Sequence, residues 1–117
     1  MHDLSNYEKD IRPWGMFERF TLNEQSTVKI ITVKQGEAFS LQTHTEREEF
    51  WHVLEGSGVM TVGEEKHEVV VGDEFLIPVG TKHRAEGGEG GLKFLEIAFG
   101  EFDEGDIERL EDKYGRV

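Results

Sequence analysis

The sequence predicts an all-β domain, a sandwich, jelly roll or barrel, with one short C-terminal helix laid on it. Three observations predict this. Short segments rich in Val, Ile, Thr and Phe recur at close, nearly even spacing. Turns carrying Gly36, Gly56, Gly63 and Gly72 fall around and between them. Helical spacing of apolar residues shows only in the tail. At 117 residues the chain is expected to form one domain, residues 1–117, with a modest core.

Taken in order, residues 1–11 are polar and read as irregular. Arg12-Pro13-Trp14-Gly15 follows; Pro13 fixes its own φ and biases Arg12 toward extended geometry. Trp14 is a large group suited to burial or to an interface, a structural anchor. Phe17–Leu22 and Thr27–Lys34 are strands across a polar turn. Val28, Ile30 and Thr32 share one face of the second strand, and Lys29, Ile31 and Val33 share the other. Leu41–Thr45 and Phe50–Leu54 come next, then Gly58–Val62 and His67–Val71 as a hairpin over Gly63–Lys66. Phe75–Ile77 stops at Pro78, which cannot donate to a ladder. His83–Glu86 leads into a Gly87–Gly91 loop, and Leu92–Phe99 is the final strand. The tail places Ile107, Leu110 and Tyr114 at helical spacing, with Asp103 as N-cap and Gly115 at the stop.

Charge narrows the function. With 25 acidic and 13 basic residues the net charge is −12, which excludes nucleic acid and anionic membranes as partners. An anionic small molecule would need a local positive patch inside that field. There is no cysteine, so a metal site must use His, carboxylate or amide groups. The start has neither a basic region nor an apolar run, and no stretch is long enough to span a membrane. The expected location is cytoplasmic.

The chemistry concentrates in two stretches, Gly36–Gly56 and Gly72–His83. Gln42 and His44 are two apart on a strand and point to one face. Glu49, Trp51 and Val53 share a face after the turn, whereas His52 points away. His83 follows the turn through Pro78 and Gly80 and can stand opposite the first cluster. Two imidazoles, a carboxylate and an amide suit one divalent ion, Zn, Mn, Co, Ni or Fe, with room left for water or substrate.

The two stretches resemble the cupin motifs. Gly36, His44, Glu49 and Gly56 fall at the spacing of the first, with Gln42 where its first His would stand. Gly72, Pro78, Gly80 and His83 fit the second, with Gly87 in place of a frequent Asn. The stretch SLQTHTEREEFW is similar to the SLQ-x-H-x-x-R-x-E-x-W signature of type II phosphomannose isomerases, in which Gln at that place is usual. Arg12–Gly15 and the tail are similar to the ends of that domain.

The resemblance implies a cupin barrel holding one divalent metal through Gln42, His44, Glu49 and His83. It implies interconversion of mannose 6-phosphate and fructose 6-phosphate, in supply of precursors for polysaccharide. Arg47 and Glu49 are the expected catalytic residues. Arg47, Lys82, Arg84, Arg109 and Arg116 are the expected contacts to substrate, although strand parity turns Lys82 and Arg84 away from His83. Glu96 is a weaker candidate for the general base. Two alternatives stand beside this: a non-catalytic module binding sugar phosphate or sugar nucleotide next to a separate guanylyltransferase, and another metal-dependent cupin enzyme, an oxygenase or epimerase. A homodimer is expected, because small sheets with free edges pair with their own copies.

Overall fold

A computed structural model describes residues 3–103 and 105–115. Two long strands organise it, β5 (Glu49–Val62) and β8 (His83–Phe99). They pair antiparallel throughout, from Glu49 opposite Ala98 to Val62 opposite His83. Bulges between Val53 and Glu55 and between Gly56 and Gly58 bend the pair near its middle. Close backbone approach at the bend requires glycine. A Cβ on Gly56 would land on the Gly91 carbonyl oxygen, and one on Gly87 would land on that of Lys34.

The bend divides the sheet into two leaves. In the first, β3 (Ser26–Val33) pairs with β8 from Leu92 onward. The first half of β5 lies on the other side of that segment and carries β7 (Glu74–Ile77) on its own far edge. In the second leaf, β4 (Leu41–Thr43) joins the start of β8, and β9 (Glu108–Glu111) joins β4. The end of β5 pairs with β6 (Glu65–Val69). A separate hairpin, β1 (Glu8–Arg12) and β2 (Gly15–Arg19), turns over Pro13 and Trp14.

One apolar cluster draws on both leaves: Trp51, Val53 and Phe94 from the first and Met60, Val69 and Ala85 from the second. Burial of these side chains is the main force holding the leaves face to face. Phe50 and Ile97 point the opposite way and pack with Leu4, Phe20 and Tyr7. The first leaf is therefore covered on both faces, and alternate residues of one strand feed two cores.

The expected C-terminal helix is corrected: no helix occurs among the described residues, and Glu108–Glu111 is a strand on the edge of β4. A helix of this length is marginal in water unless it buries an apolar face. Leu110 and Tyr114 stay exposed, so no such face exists. The β4 edge instead gives the segment backbone partners. The expected closed barrel is corrected too. The hydrogen-bonded order β6-β5-β8-β4-β9, with β3 on β8 and β7 on β5, is an open, folded-over sheet.

Smaller differences follow the same logic. The Gly87–Gly91 run is not a loop but lies inside β8 at the bend. Residues 8–11, expected to be irregular, belong to β1, which ends at Arg12, extended as expected. Trp14 is not buried: it is 72% exposed at the hairpin tip. No helix of the described residues is long and apolar enough to cross a membrane.

Candidate metal centre

His44, Glu49 and His83 are brought together and buried where the first leaf meets the second. One ligand atom from each lies within 4.8 Å of the others. Glu49 begins β5, and its side chain shares a face with Trp51 and Val53. His83 begins β8, and His44 follows β4 in the turn toward β5. Glu49 Oε2 is 3.3 Å from His44 Nε2, and Oε1 is 3.6 Å from His83 Nε2.

The ring orientations favour a metal. His83 Nδ1 donates to the Thr81 carbonyl at 2.9 Å, and His44 Nδ1 donates to the Asp106 carbonyl at 2.5 Å. Each Nε2 then carries a lone pair directed at the Glu49 carboxylate. His83 Nε2 is buried and has no hydrogen-bond partner. A buried lone pair left unpaired is costly, and a cation at this point would satisfy it. The donor set fits a borderline divalent ion.

Register extends the site. Gln42 pairs with His83 on one side and with Arg109 on the other. Directly opposed residues of antiparallel strands share a face, so His83, Gln42 and Arg109 form one inward row. Arg109 Nε is buried without a partner, like His83 Nε2. In the first leaf a second row runs Lys29, Glu96, Trp51, Phe75.

Arg47 is buried beside the ligands. Its Nε donates to Glu49 Oε2 at 3.0 Å and its Nη2 lies 3.2 Å from His44 Nε2. Its Nη1 donates to the Asp103 carbonyl at 3.1 Å, and its guanidinium carbon lies 4.3 Å from the centre of the Phe102 ring. Lys29 Nζ is also 4.3 Å from that ring centre. Arg47 and Lys29 thus bring two cationic side chains to the Phe102 ring in a chain of net charge −12.

Glu49 and Glu96 divide the proton between them. Burial, reinforced by the charge on Glu49, pushes Glu96 up to about 8. Burial also works to raise Glu49. The hydrogen bond with Glu96 and the nearby His83, Arg47 and His44 outweigh it, so Glu49 lies below the ordinary range. Trp51 Nε1 donates toward both carboxyls, at 3.2 Å to Glu49 and 3.4 Å to Glu96. Burial lowers His83, favouring the neutral ring that a metal needs.

The other expected residues sit differently. Lys82 pairs with Glu64, and Arg84 bonds to the Phe39 carbonyl and to Glu111, on the face opposite to His83. Arg116 lies outside the described residues. His52 pairs with Glu74 at 2.6 Å, away from the ligands as parity predicts. Lys29, Phe102 and Asp106 were not expected at the site. Inward parity of Lys29 with Ile31 and Val33 was the one available signal. Asp106 reaches the site from 60 residues away, its carboxylate accepting from the Thr45 and Glu46 amides and the Thr45 hydroxyl. Burial works to raise Asp106, but those bonds hold it down at about 2. A cleft of about 470 Å³, lined by Ile31, Val33, Glu37, Phe39 and Tyr114, opens beside the end of β3. Phe39 links it to the centre by packing edge-on against Trp51, which packs edge-on against His83.

The folded sheet with a buried His/Glu cluster between its leaves defines a protein of the cupin class. A cupin protein from Bacteroides fragilis superposes with a TM-score of 0.60 at 26% identity, over 70% of this chain and 72% of that one. The chain belongs to the family described as mannose-6-phosphate isomerase C-terminal, which it matches over residues 1–112. It is 37% identical to a mannose-1-phosphate guanylyltransferase of Salmonella montevideo, over 98% of this chain and 25% of that protein. It is 38% identical to the xanthan biosynthesis protein XanB of Xanthomonas campestris, over 95% of this chain and 24% of that one. The chain thus spans about a quarter of the length of these curated relatives.

Proposed function

We propose that this domain is a metal-dependent aldose–ketose isomerase that interconverts mannose 6-phosphate and fructose 6-phosphate. One observation carries the reading: among the described residues two buried side-chain nitrogens lack a hydrogen-bond partner, His83 Nε2 and Arg109 Nε, and these two residues flank Gln42 on one cross-strand row, with His83 clustered with His44 and Glu49. On this reading a cation and an anion would be held side by side, as a metal-dependent enzyme for a sugar phosphate requires. His44, Glu49 and His83, with the Gln42 amide as fourth ligand, would hold one divalent ion, which supplies Lewis-acid polarisation to sugar oxygens.

The chain's own groups do the rest. Arg109 takes the phosphate and Arg47 faces the oxygen that gains charge as the enediol forms. The reaction moves a proton from C2 to C1 and leaves the sugar's overall oxidation state unchanged. Glu96 is the proposed proton carrier, since it adjoins the ligand Glu49 and its pKa of about 8 lets it both release and accept a proton near neutrality. Trp51 and Phe39 exclude water from one side. Lys82 and Arg84, with partners of their own, are the less suited of the expected contacts.

A second reading rests on the relatives. The relative from Salmonella montevideo carries the name mannose-1-phosphate guanylyltransferase, and this chain covers only a quarter of its length. On that reading the domain binds the sugar phosphate or nucleotide for a separate guanylyltransferase and is not itself catalytic. We also propose a homodimer, for which the exposed apolar hairpin residues Ile11, Trp14 and Met16 are the support.

The purified protein should convert mannose 6-phosphate to fructose 6-phosphate after loading with Mn, Co, Zn, Ni or Fe in turn, and chelation should abolish turnover. Saturable binding of mannose 6-phosphate without turnover under any metal would replace the enzyme with the binding module. Oxygen consumption with iron would instead favour an oxygenase.

A further inference from the structure

We infer that Arg47 is a displaceable cation of this site, coupling metal binding to anion binding. Its guanidinium holds the same atoms that the ligand set offers a metal, Glu49 Oε2 at 3.0 Å and His44 Nε2 at 3.2 Å. The two are not equally shareable. A carboxylate oxygen has lone pairs for two partners, but an imidazole nitrogen has one. Because His44 Nδ1 is committed to the Asp106 carbonyl, Nε2 must serve either Arg47 or a metal.

The displaced group has a defined place to go. Arg47 Nη1 is anchored on the Asp103 carbonyl at 3.1 Å, and the guanidinium lies 4.3 Å from the Phe102 ring centre. Both contacts come from the 102–103 segment, and neither uses the metal-binding atoms. A guanidinium that gives up His44 therefore keeps these two contacts and has a donor edge freed. Metal and guanidinium also repel each other at this distance, which drives the exchange in the same direction. An anion bound by the freed edge holds Arg47 off the ligands, so each of metal and anion favours the other. That the anion is a sugar phosphate rests on the isomerase reading; the competition for His44 does not.

The test titrates Co²⁺ into the metal-free wild type, Arg47→Met and Arg47→Lys, following the visible absorption of the ion, with circular dichroism as a check on folding. Arg47→Met removes the competitor and should bind Co²⁺ about tenfold or more tightly than wild type, since the contact given up is a charge-assisted hydrogen bond. Arg47→Lys keeps the charge without the two-pronged contact and should fall between them. Mannose 6-phosphate should tighten Co²⁺ binding to wild type by a larger factor than to Arg47→Met. Equal or weaker Co²⁺ binding by a folded Arg47→Met, or no binding by either protein, overturns the inference. Tighter binding by Arg47→Met with no response of either protein to mannose 6-phosphate keeps the competition and removes the sugar-phosphate isomerase instead.

Discussion

The space between the two leaves has an apolar end and an ionic end, and they are finished in different ways. At the apolar end Val53, Met60, Val69, Leu92 and Phe94 pack against one another as one buried cluster. At the ionic end His44, Arg47, Glu49, His83 and Glu96 are almost equally buried, yet His83 Nε2 is left without a partner. Burial contributes stability at the first end. At the second it is a cost, offset by hydrogen bonds and incompletely so at His83 Nε2. Trp51 joins the two, its ring in the core and its Nε1 on both carboxyls. The lesson is that the fold is held by one end so that the other can stay unfinished.

The largest expected effect lies at the apolar end. Phe94→Ala should cost about 3–5 kcal/mol of unfolding free energy, read from denaturant melts of the metal-free protein. Where the variant stays folded, its metal affinity should change little. Loss of metal binding in a folded Phe94→Ala would show that the two ends are not separable.

That separability was partly legible in the sequence. Strand parity correctly turned Glu49 and Trp51 to one side and His52 to the other, because a period of two survives any register. Motif spacing brought in His83, but not its orphaned Nε2, which depends on the bond between Nδ1 and Thr81. The bend was hidden. Gly87–Gly91 read as a loop because a glycine run carries no side chains, whereas here it is the part of β8 that lets two backbones touch. The tail misled most. Ile107, Leu110 and Tyr114 have helical spacing, but what decides their conformation is the β4 edge and the Asp106 carboxylate's bonds to Thr45 and Glu46, contacts about 60 residues away in the chain. Nothing local encodes them.

A middle-sized effect is expected where that tail supports the ionic end. Asp106→Ala removes the carboxylate that ties residues 105–107 to Thr45 and Glu46, and with it the fixed placement of the carbonyl that orients His44. Metal affinity should fall about tenfold, with global stability changed by less than about 1 kcal/mol. A stability loss with unchanged metal affinity would make the tail part of the packed end instead.

A further effect is a pH dependence. Glu96 keeps its proton in the fold up to about 8, against 4.5 ordinarily. The folded chain therefore binds more protons than the unfolded chain between those values, and metal-free stability should fall as pH rises from about 4.5 through about 8. Glu96→Gln should remove that part of the slope in thermal melts across this range. An unchanged slope would mean that Glu96 ionises normally and that the ionic end is wetter than its burial indicates.

The most direct measurement is a crystal structure of the protein grown with Mn²⁺ or Zn²⁺ and located by anomalous scattering. The expected result is one ion bound by His44 Nε2, His83 Nε2 and the Glu49 carboxylate at about 2.0–2.2 Å, with the Gln42 amide oxygen as fourth protein ligand and Arg47 withdrawn from His44. An ion bound elsewhere, or an unmetallated centre with Arg47 still on His44 at millimolar metal, would contradict the assignment of this cluster as the metal site.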